Sequence, residues 1–484
     1  MTHRTQNHSE VELKFELDGH AAKKVRRHAA LSKAHHQTHS QNSVYFDTGE
    51  GAVHKAGYSL RVRQVGDCFT QTVKTNGGAA GLFDRGEWEA PVKQMSPEPK
   101  ALKRTPLGKL KKLERKVEPV VCSDVERTTW LINRDGSVVE VVLDSGMVSA
   151  GDQEASFHEL ELELKAGKPA AIFDFAQELG QAVPLLVGVL SKEERGHMIA
   201  EGAFGHAHKA SALDIRKSMD AGQVLALIVH ECIRHFRLNE ALIISERDPE
   251  ALHQARVAMR RLRSALSLLR PAIRQGSLEP LKAELREFIN PFGEARNLDV
   301  FLDHHGDELG WRDHRKLTSA RAKAYDQVID TLNAQRSRDM FLNIVEWTAS
   351  GDWRKDAASV PIGKFAAGRL DAIWRQAKHR GTRIGDLEEK QLHRLRISIK
   401  KLRYAVDFLT PLYAKKRVRK FASSLEKMQD CLGLLHDDMV SRQIVADFAL
   451  TETGRTDVTV RSRQLNAMET RFKQLKRVGR FWTS

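Results

Sequence analysis

Carboxylates spaced two residues apart are the first feature of this chain that could do chemistry. Glu10-x-Glu12-x-Lys14 stands near the N-terminus, and Glu159-x-Glu161-x-Glu163-x-Lys165 repeats the pattern later. In an extended strand, residues two apart share a face. Glu10, Glu12 and Lys14 therefore project together, while Val11, Leu13 and Phe15 project oppositely. The same alternation sets Arg61 with Arg63, Glu87 and Glu89 with Arg85, and Glu140 with Asp144. One charged strand face is ordinarily the solvated side of a half-buried sheet. Here acidic residues repeat without an interposed neutral residue, on several strands. Adjacent carboxylates repel and raise one another's pKa unless a cation compensates. An oxygen-only donor set suits a hard ion, Mg²⁺ or Mn²⁺, rather than zinc. If the ionic faces turn inward, the sheet closes around a lumen. Arg61, Arg63, Lys74, Arg127 and Lys14 would there meet phosphate oxygens. Metal on the acidic strands would neutralise charge as a P–O bond breaks.

A second pattern is a repeat. His253-x-x-Arg256-x-x-x-Arg260-Arg261-Leu262-Arg263 recurs as His393-x-x-Arg396-x-x-x-Lys400-Lys401-Leu402-Arg403. Each copy is followed by a glycine, Gly293 and Gly433, then by Arg296-Asn297 and His436-Asp437. At about 100° per residue, positions 253, 256, 260 and 263 share an arc of about 80°. Each helix thus carries a stripe of one histidine and three cations with no acid. A basic stripe can be a solvated helix face, but like charges at i,i+4 are destabilising. Its repetition implies a compensating anion, and the duplication implies paired helical hairpins.

The elements that must position these residues follow from periodicity. Up to about residue 200, short runs alternate with period 2 between polar or Gly-containing turns, which predicts a mainly antiparallel β domain with helices at about 19–33, 102–114, 169–181 and 191–200. The segment 96–106 reads as a loop or insertion. Beyond it, period-3.6 stretches over 224–246, 249–269, 278–290, 316–350, 390–412 and 418–434 predict an all-α bundle. The fold class expected is multidomain α+β: an N-terminal antiparallel β tunnel with flanking helices and C-terminal duplicated four-helix bundles. The boundaries expected are 1–205 for the tunnel domain, 206–222 for a linker and 223–475 for the helical domain, its repeats at about 223–350 and 360–475.

Composition supports two modules. The chain has 484 residues, 41% hydrophobic and 29% charged, with net charge +15. Residues 1–200 carry 27 basic and 27 acidic side chains, so the whole excess falls on residues 201–484. No run of about 18 apolar residues predicts a membrane span, and the N-terminus lacks the apolar region of a secretory signal. Cys68, Cys122, Cys232 and Cys431 are far apart and read as reduced thiols of a cytoplasmic protein. No phosphate-binding loop of the P-loop type occurs.

The ordered motifs of residues 8–200 resemble the CYTH superfamily, the triphosphate tunnel metalloenzymes. The resemblance rests on Glu10-x-Glu12-x-Lys14, Tyr45-Phe46-Asp47-Thr48, Leu60-Arg61-Val62-Arg63, Lys74, Arg127, Asp144, Glu159 to Leu164, and Ser191-Lys192-x-x-Arg195-Gly196. It implies an eight-stranded tunnel, with Glu10, Glu12, Glu159 and Glu161 as metal ligands joined by Asp144 and Glu163. It implies Lys14, Arg61, Arg63, Lys74, Arg127, Lys192 and Arg195 as phosphate-holding residues. Glu87 and Glu89 lie where some members have further acids. The implied reaction is metal-dependent hydrolysis of inorganic triphosphate to diphosphate and phosphate.

Residues 220–475 resemble the CHAD family, which is associated with binding inorganic polyphosphate. That implies phosphate contacts from His253, Arg256, Arg260, Arg263, His393, Arg396, Lys400 and Arg403, with lysine in the second copy acting as a point charge. The alternatives are a polyphosphate-binding or targeting protein with little catalysis, a nucleotide or thiamine triphosphatase, and a class IV-like adenylate cyclase. No residue set marks an adenine or thiazolium pocket. Nucleic acid is disfavoured as a partner, because aromatics are only 6% of the chain and no stacking platform is evident.

Overall fold

In a computed structural model, the chain is described over residues 9–75, 82–110, 113, 117–273, 278–450 and 458–483. The strands are β1 (Ser9–Leu17), β2 (His36–Thr48), β3 (Tyr58–Val65), β4 (Cys68–Thr75), β5 (Leu82–Val92), β6 (Val117–Arg134), β7 (Ser137–Ala150), β8 (Gln153–Ala166) and the short β9 (Leu186–Val187). The helices, in chain order, are α1 (Gly19–Arg27), α2 (Ala29–Ser32), α3 (Ala52–Lys55), α4 (Pro99–Leu102), α5 (Ala170–Gly180), α6 (Lys192–Ala200), α7 (Ala221–Glu246), α8 (Pro249–Leu269), α9 (Glu279–His305), α10 (Trp311–Asn333), α11 (Gln335–Ser350), α12 (Trp353–Ala358), α13 (Ile362–Arg380), α14 (Glu389–Leu409), α15 (Lys415–Asp447) and α16 (Val458–Val478). No described helix is long and apolar enough to cross a membrane. All four cysteines are unpaired.

The chain folds into two compact units: residues 1–206 with 333–350, and residues 207–332 with 351–484. In the first, the strands run β5-β4-β3-β2-β6-β7-β8-β1, and β1 pairs again with β5, so the antiparallel sheet closes. Closure removes both free edges. The hairpin between β6 and β7 turns on Asp135-Gly136, both at positive φ (47° and 75°), the backbone that a two-residue hairpin matched to strand twist requires.

The barrel is apolar outside and ionic inside. Leu13, Phe15, Leu160 and Leu162 on β1 and β8 are at most 1% exposed. On the far side, Leu60, Val62 and Val73 pack with Val53 and with Leu102, Leu107 and Leu113. The segment read as an insertion therefore supplies the cover for β3 and β4. The helix expected over 102–114 is a single turn, α4, and a 3₁₀ turn at Pro106–Lys109. Residues 111–112 and 114–116 lie outside the described residues.

Helix α6 seals one end. Ser191 caps it through a reciprocal bond pair with Glu194, and Gly196 presses on β6: a Cβ there would sit 2.3 Å from Val121 Cγ1. Helix α11, counted from sequence in the first helical repeat, belongs to the first unit. It buries Met340, Phe341, Ile344 and Val345, packs on α5 and β9, and Glu346 accepts a bond from Gln177 at 3.1 Å.

In the second unit, α8 and α14 pack against each other, each also meeting its following helix, α9 or α15. Helix α9 runs through Pro291 to His305, whereas the sequence reading stopped at Asn290. Proline removes one ladder bond, at a cost of about 3 kcal/mol. The buried stripe of Leu285, Phe288, Phe292, Ala295 and Leu298 continues past it, and that burial exceeds the loss.

Gly196→Ala is expected to destabilise the first unit by about 1–3 kcal/mol through overpacking. A second change, Val121→Ala, recovers part of the loss; thermal unfolding of both variants checks this.

Candidate active site and anion-binding helices

Period-2 alternation in the closed barrel brings the ionic residues of seven strands into one cavity of ≈ 260 Å³. Lys14 and Glu12 enter it from β1, Arg61 and Arg63 from β3, Lys74 from β4, Arg127 from β6, Glu161 and Glu163 from β8, and Lys192 from the start of α6. β3 is four strands from β8 in either direction around the barrel, so the arginine pair faces the glutamate row across the lumen. Asp144 and Glu159 lie beneath, 0% and 1% exposed. Glu10 occupies β1 opposite Arg85, and its side chain lies outside the described residues.

Register sorts the acidic wall into three rungs. Glu12 stands opposite Glu163, which stands opposite Glu140 on β7. Next, Lys14 faces Glu161; at the base, Glu16 faces Glu159, which faces Asp144. Like charges directly across strands are destabilising, and each rung is met by cations. Lys165 pairs with Glu140 at 3.2 Å and with Glu163. Lys14 Nζ lies 2.9 Å from Glu161 and 3.5 Å from Glu159. Arg127 grips Asp144 with two bonds, 2.7 and 2.6 Å, and reaches Glu161 at 3.2 Å. Lys192 meets Glu159 at 2.6 Å and Asp144 at 3.0 Å, and Arg195 meets Glu16 at 3.1 Å.

These contacts fix the protonation states. Burial by itself favours the neutral form of Lys14, but the carboxylates of Glu159 and Glu161 overcome it and hold the ammonium above its ordinary value. Lys192 and Arg127 are raised against burial in the same way. Burial would raise Glu161, yet Lys14, Lys192 and Arg127 hold it well below the usual carboxylate range, and Asp144 is lowered by Lys192 and Arg127.

The opposite wall carries acids of its own: Glu87 and Glu89 on β5 line the cavity, and Lys74 pairs with Glu87 at 3.0 Å and Arg63 with Glu89 at 3.5 Å, yet the two arginines still crowd each other. Arg61 pushes Arg63 down, with burial adding to it, to about 10, and Arg61 Nε is buried without a hydrogen-bond partner. On the acidic side, Glu159 Oε1 is likewise buried and unpartnered. Asp144, Glu159 and Glu161 bring carboxylate oxygens within 4.8 Å of one another. An oxygen-only set of this kind suits a hard divalent cation, but in this structure Lys14, Arg127 and Lys192 already hold these carboxylates. Tyr45, Ser59, Glu140 and Glu193 also line the cavity; of these, only Glu140 lay on an ionic face legible beforehand.

On α8 and α14 the two stripes converge. Lys400 is lowered to about 7, first by burial, then by Arg260 and Arg396, with Arg256 contributing. Arg256 is lowered to about 10 by burial, Arg260 and Arg296, and His253 to about 4 by burial and Arg296. The Nε atoms of Arg260 and Arg396 are buried without partners. The His393 and His436 rings lie near each other, tilted at 44° with centroids 6.2 Å apart. Gly293 has a reason to be glycine: a Cβ would stand 3.1 Å from Arg256 Nη1, while at Gly433 nothing lies within 4 Å. Two expected contacts stand apart. Arg403 is held by Asp407 at 3.1 Å and Glu426 at 3.5 Å, and Arg263 has Arg286 and Lys401 as its charged neighbours. Arg296, part of the repeat but not singled out as a contact, joins the cluster instead.

Comparison with known proteins also separates an N-terminal from a C-terminal region, with α11 falling inside the C-terminal match although it packs in the first unit. Residues 8–197 match the CYTH domain and residues 227–446 the CHAD domain. An inorganic triphosphatase of Haemophilus influenzae is 29% identical over 199 residues, 40% of this chain and 56% of that protein, so the match spans little more than half of the relative. Among solved structures, the CHAD domain of the plant Ricinus communis aligns over 56% of this chain and 92% of its own, at 23% identity and TM-score 0.46. A putative adenylyl cyclase from Hippeastrum, described as having a dominant triphosphatase activity, covers 40% of this chain and 96% of its own at 19% identity and TM-score 0.31. The chain thus carries a CYTH domain over residues 8–197 followed by a CHAD domain over residues 227–446.

Proposed function

We propose that the barrel hydrolyses inorganic triphosphate and that the helical unit binds inorganic polyphosphate. The observation that carries the first part is the Arg61–Arg63 wall, two crowded guanidiniums facing Glu161 and Glu163 across a polar cavity. A polyanion on one side and a cation on the other satisfy both walls at once. Arg61, Arg63 and Lys74 bind the phosphate chain. Asp144, with both oxygens engaged, positions Arg127 and Lys192 toward the cavity, and Glu159 does the same for Lys192 and Lys14. A Mg²⁺ or Mn²⁺ ion held by Glu12 and Glu163, with Glu161 and Glu10, would neutralise phosphate charge and lower the pKa of attacking water. Water adds to the terminal phosphorus in line with the bridging oxygen. That P–O bond breaks with its electron pair passing to diphosphate, and the water proton is lost to solvent. The charge spreading over the phosphoryl oxygens meets Lys14, Arg127 and Lys192. Inorganic triphosphate is preferred because the cavity is lined by charged and polar groups, with Tyr45 the one aromatic ring on it among the described residues.

The test is phosphate release by the full chain from triphosphate, ATP, thiamine triphosphate and long polyphosphate, with Mg²⁺ and with Mn²⁺. Triphosphate is expected to be cleaved fastest. No metal-dependent release from any of them leaves an anion-binding protein only. Glu12→Gln should lower kcat at least about 100-fold, since metal charge stabilisation is worth several kcal/mol, with little change in melting temperature.

Asp144→Asn strands two buried cations and should cost about 3–5 kcal/mol of stability at neutral pH. Because the folded pKa of Asp144 is depressed, its contribution is present above the ordinary value of 3.8 and is lost as pH falls through the lower folded value. The gap between variant and parent in denaturant titrations should therefore narrow below about pH 4.

On the helices, the crowding that leaves Lys400 near 7 is relieved by a bound polyanion, which raises it. Polyphosphate binding at pH 8 should then take up protons, and affinity should fall as pH rises above 7. Calorimetry in buffers of different ionisation enthalpy reads the uptake, and Lys400→Met should abolish it.

A further inference from the structure

Outside the oxygen-lined set, a second group of ligand-type side chains meets between α3 and α6. His54, Glu193 and His197 each offer one donor atom, and the three lie within 4.8 Å of one another. Glu193 Oε1 stands 3.6 Å from His197 Nε2, and the two imidazole rings are 5.1 Å apart at 55°. His197 Nε2 is buried and lacks a hydrogen-bond partner, and the Glu193 side chain is 5% exposed.

The backbone holds these donors firmly. Buried Asp47 accepts from Val53 N at 2.8 Å and His54 N at 3.0 Å, so the turn bearing His54 is anchored to β2. On α6, the Ser191–Glu194 capping box fixes the helix start. Glu193 and His197, four apart, project from one face, and Gly196 keeps the helix against β6.

Two imidazoles and one carboxylate differ in kind from the tunnel's oxygen-only walls. Imidazole prefers borderline ions such as Zn²⁺, Co²⁺ or Ni²⁺ to Mg²⁺. Ligand bonds of about 2.0–2.2 Å around a tetrahedral ion put donor atoms roughly 3.3–3.6 Å apart, and the Glu193–His197 separation already falls there. His54 is the exposed member of the three, its donor within 4.8 Å of the other two, and a bound ion would draw it closer.

We propose that His54, Glu193 and His197 form a three-ligand site for a transition-metal ion of zinc type, its remaining position open to water. The ion joins α3 to α6, the helix that delivers Lys192 and Arg195 to the base of the tunnel. Because Glu193 also borders the cavity, the site lies at the rim of the catalytic chamber without sharing its acidic rungs. The alternative is a plain His197–Glu193 ion pair that binds no metal.

The experiment uses the untagged full chain in excess Mg²⁺, which saturates the oxygen sites. Zn²⁺ is titrated calorimetrically, and Co²⁺ by its visible ligand-field absorption. One ion per chain is expected, with tetrahedral-type cobalt bands. His54→Gln and His197→Gln should each weaken binding at least about tenfold, with melting temperatures unchanged in metal-free buffer; Glu161→Gln should leave it intact. Equal Zn²⁺ affinity in the histidine variants, loss of binding in Glu161→Gln, or no binding at all overturns the assignment. None of these readouts requires triphosphatase turnover, so failure of the hydrolytic proposal would be seen separately.

Discussion

The constraint on which the first unit depends is charge neutrality in a closed space. Asp144, Glu159 and Glu161 are removed from water, and each buried charge would be prohibitive alone. They persist because Lys14, Arg127 and Lys192 are delivered from three different elements, β1, β6 and α6. The network ties four neighbouring strands, β6-β7-β8-β1, to helix α6. Lys14, Arg127, Lys192, Asp144 and Glu161 are each shifted toward the charged form, so the cavity presents a fixed pattern of field. Preorganised charge of this kind loses no reorganisation energy at the moment of reaction.

An ionic interior turns the usual layout inside out. The apolar sides of β1, β3, β4, β7 and β8 face outward and are covered. Helices α1, α5 and α6, the excursion through Leu102, Leu107 and Leu113, and α11 from far along the sequence contribute buried residues to this cover. In the helical unit the problem is reversed. The bundle interior is ordinary, and unfavourable charge is concentrated where α8 and α14 meet, with Arg260 and Arg396 leaving buried nitrogens unpartnered. One unit stores its charge as balanced pairs and the other as an excess, in keeping with the even split of the first 200 residues and the +15 of the rest.

Much of this was legible because period 2 and period 3.6 are local signals. The alternation in β1 and β8 identified the inward residues, and the duplicated His–Arg pattern located α8 and α14. What escaped depends on partners distant in sequence. Arg403 fits the repeat at its expected spacing, yet Asp407 and Glu426 capture it, and spacing cannot reveal an acid on a neighbouring helix. Pro291 looked like a boundary because proline's local cost is visible, whereas the apolar stripe that outweighs it needs the packed bundle. Arg296 was part of the repeat, but its approach to Arg256 and His253 depends on the α8–α9 crossing. Glu193 lies within the motif that marks α6 and His197 just beyond it, and only the fold brings His54 to them.

The placement of α11 has a consequence for biosynthesis. The first unit draws on two stretches of chain, 1–206 and 333–350, with residues 207–332 between them. Ribosomes add about 5–20 residues per second, so roughly 6–25 s pass between the emergence of β9 and α6 and that of the helix that covers α5. Through that interval the nascent barrel carries an uncovered apolar flank, and the polypeptide that follows must fold around a neighbour still awaiting its last piece.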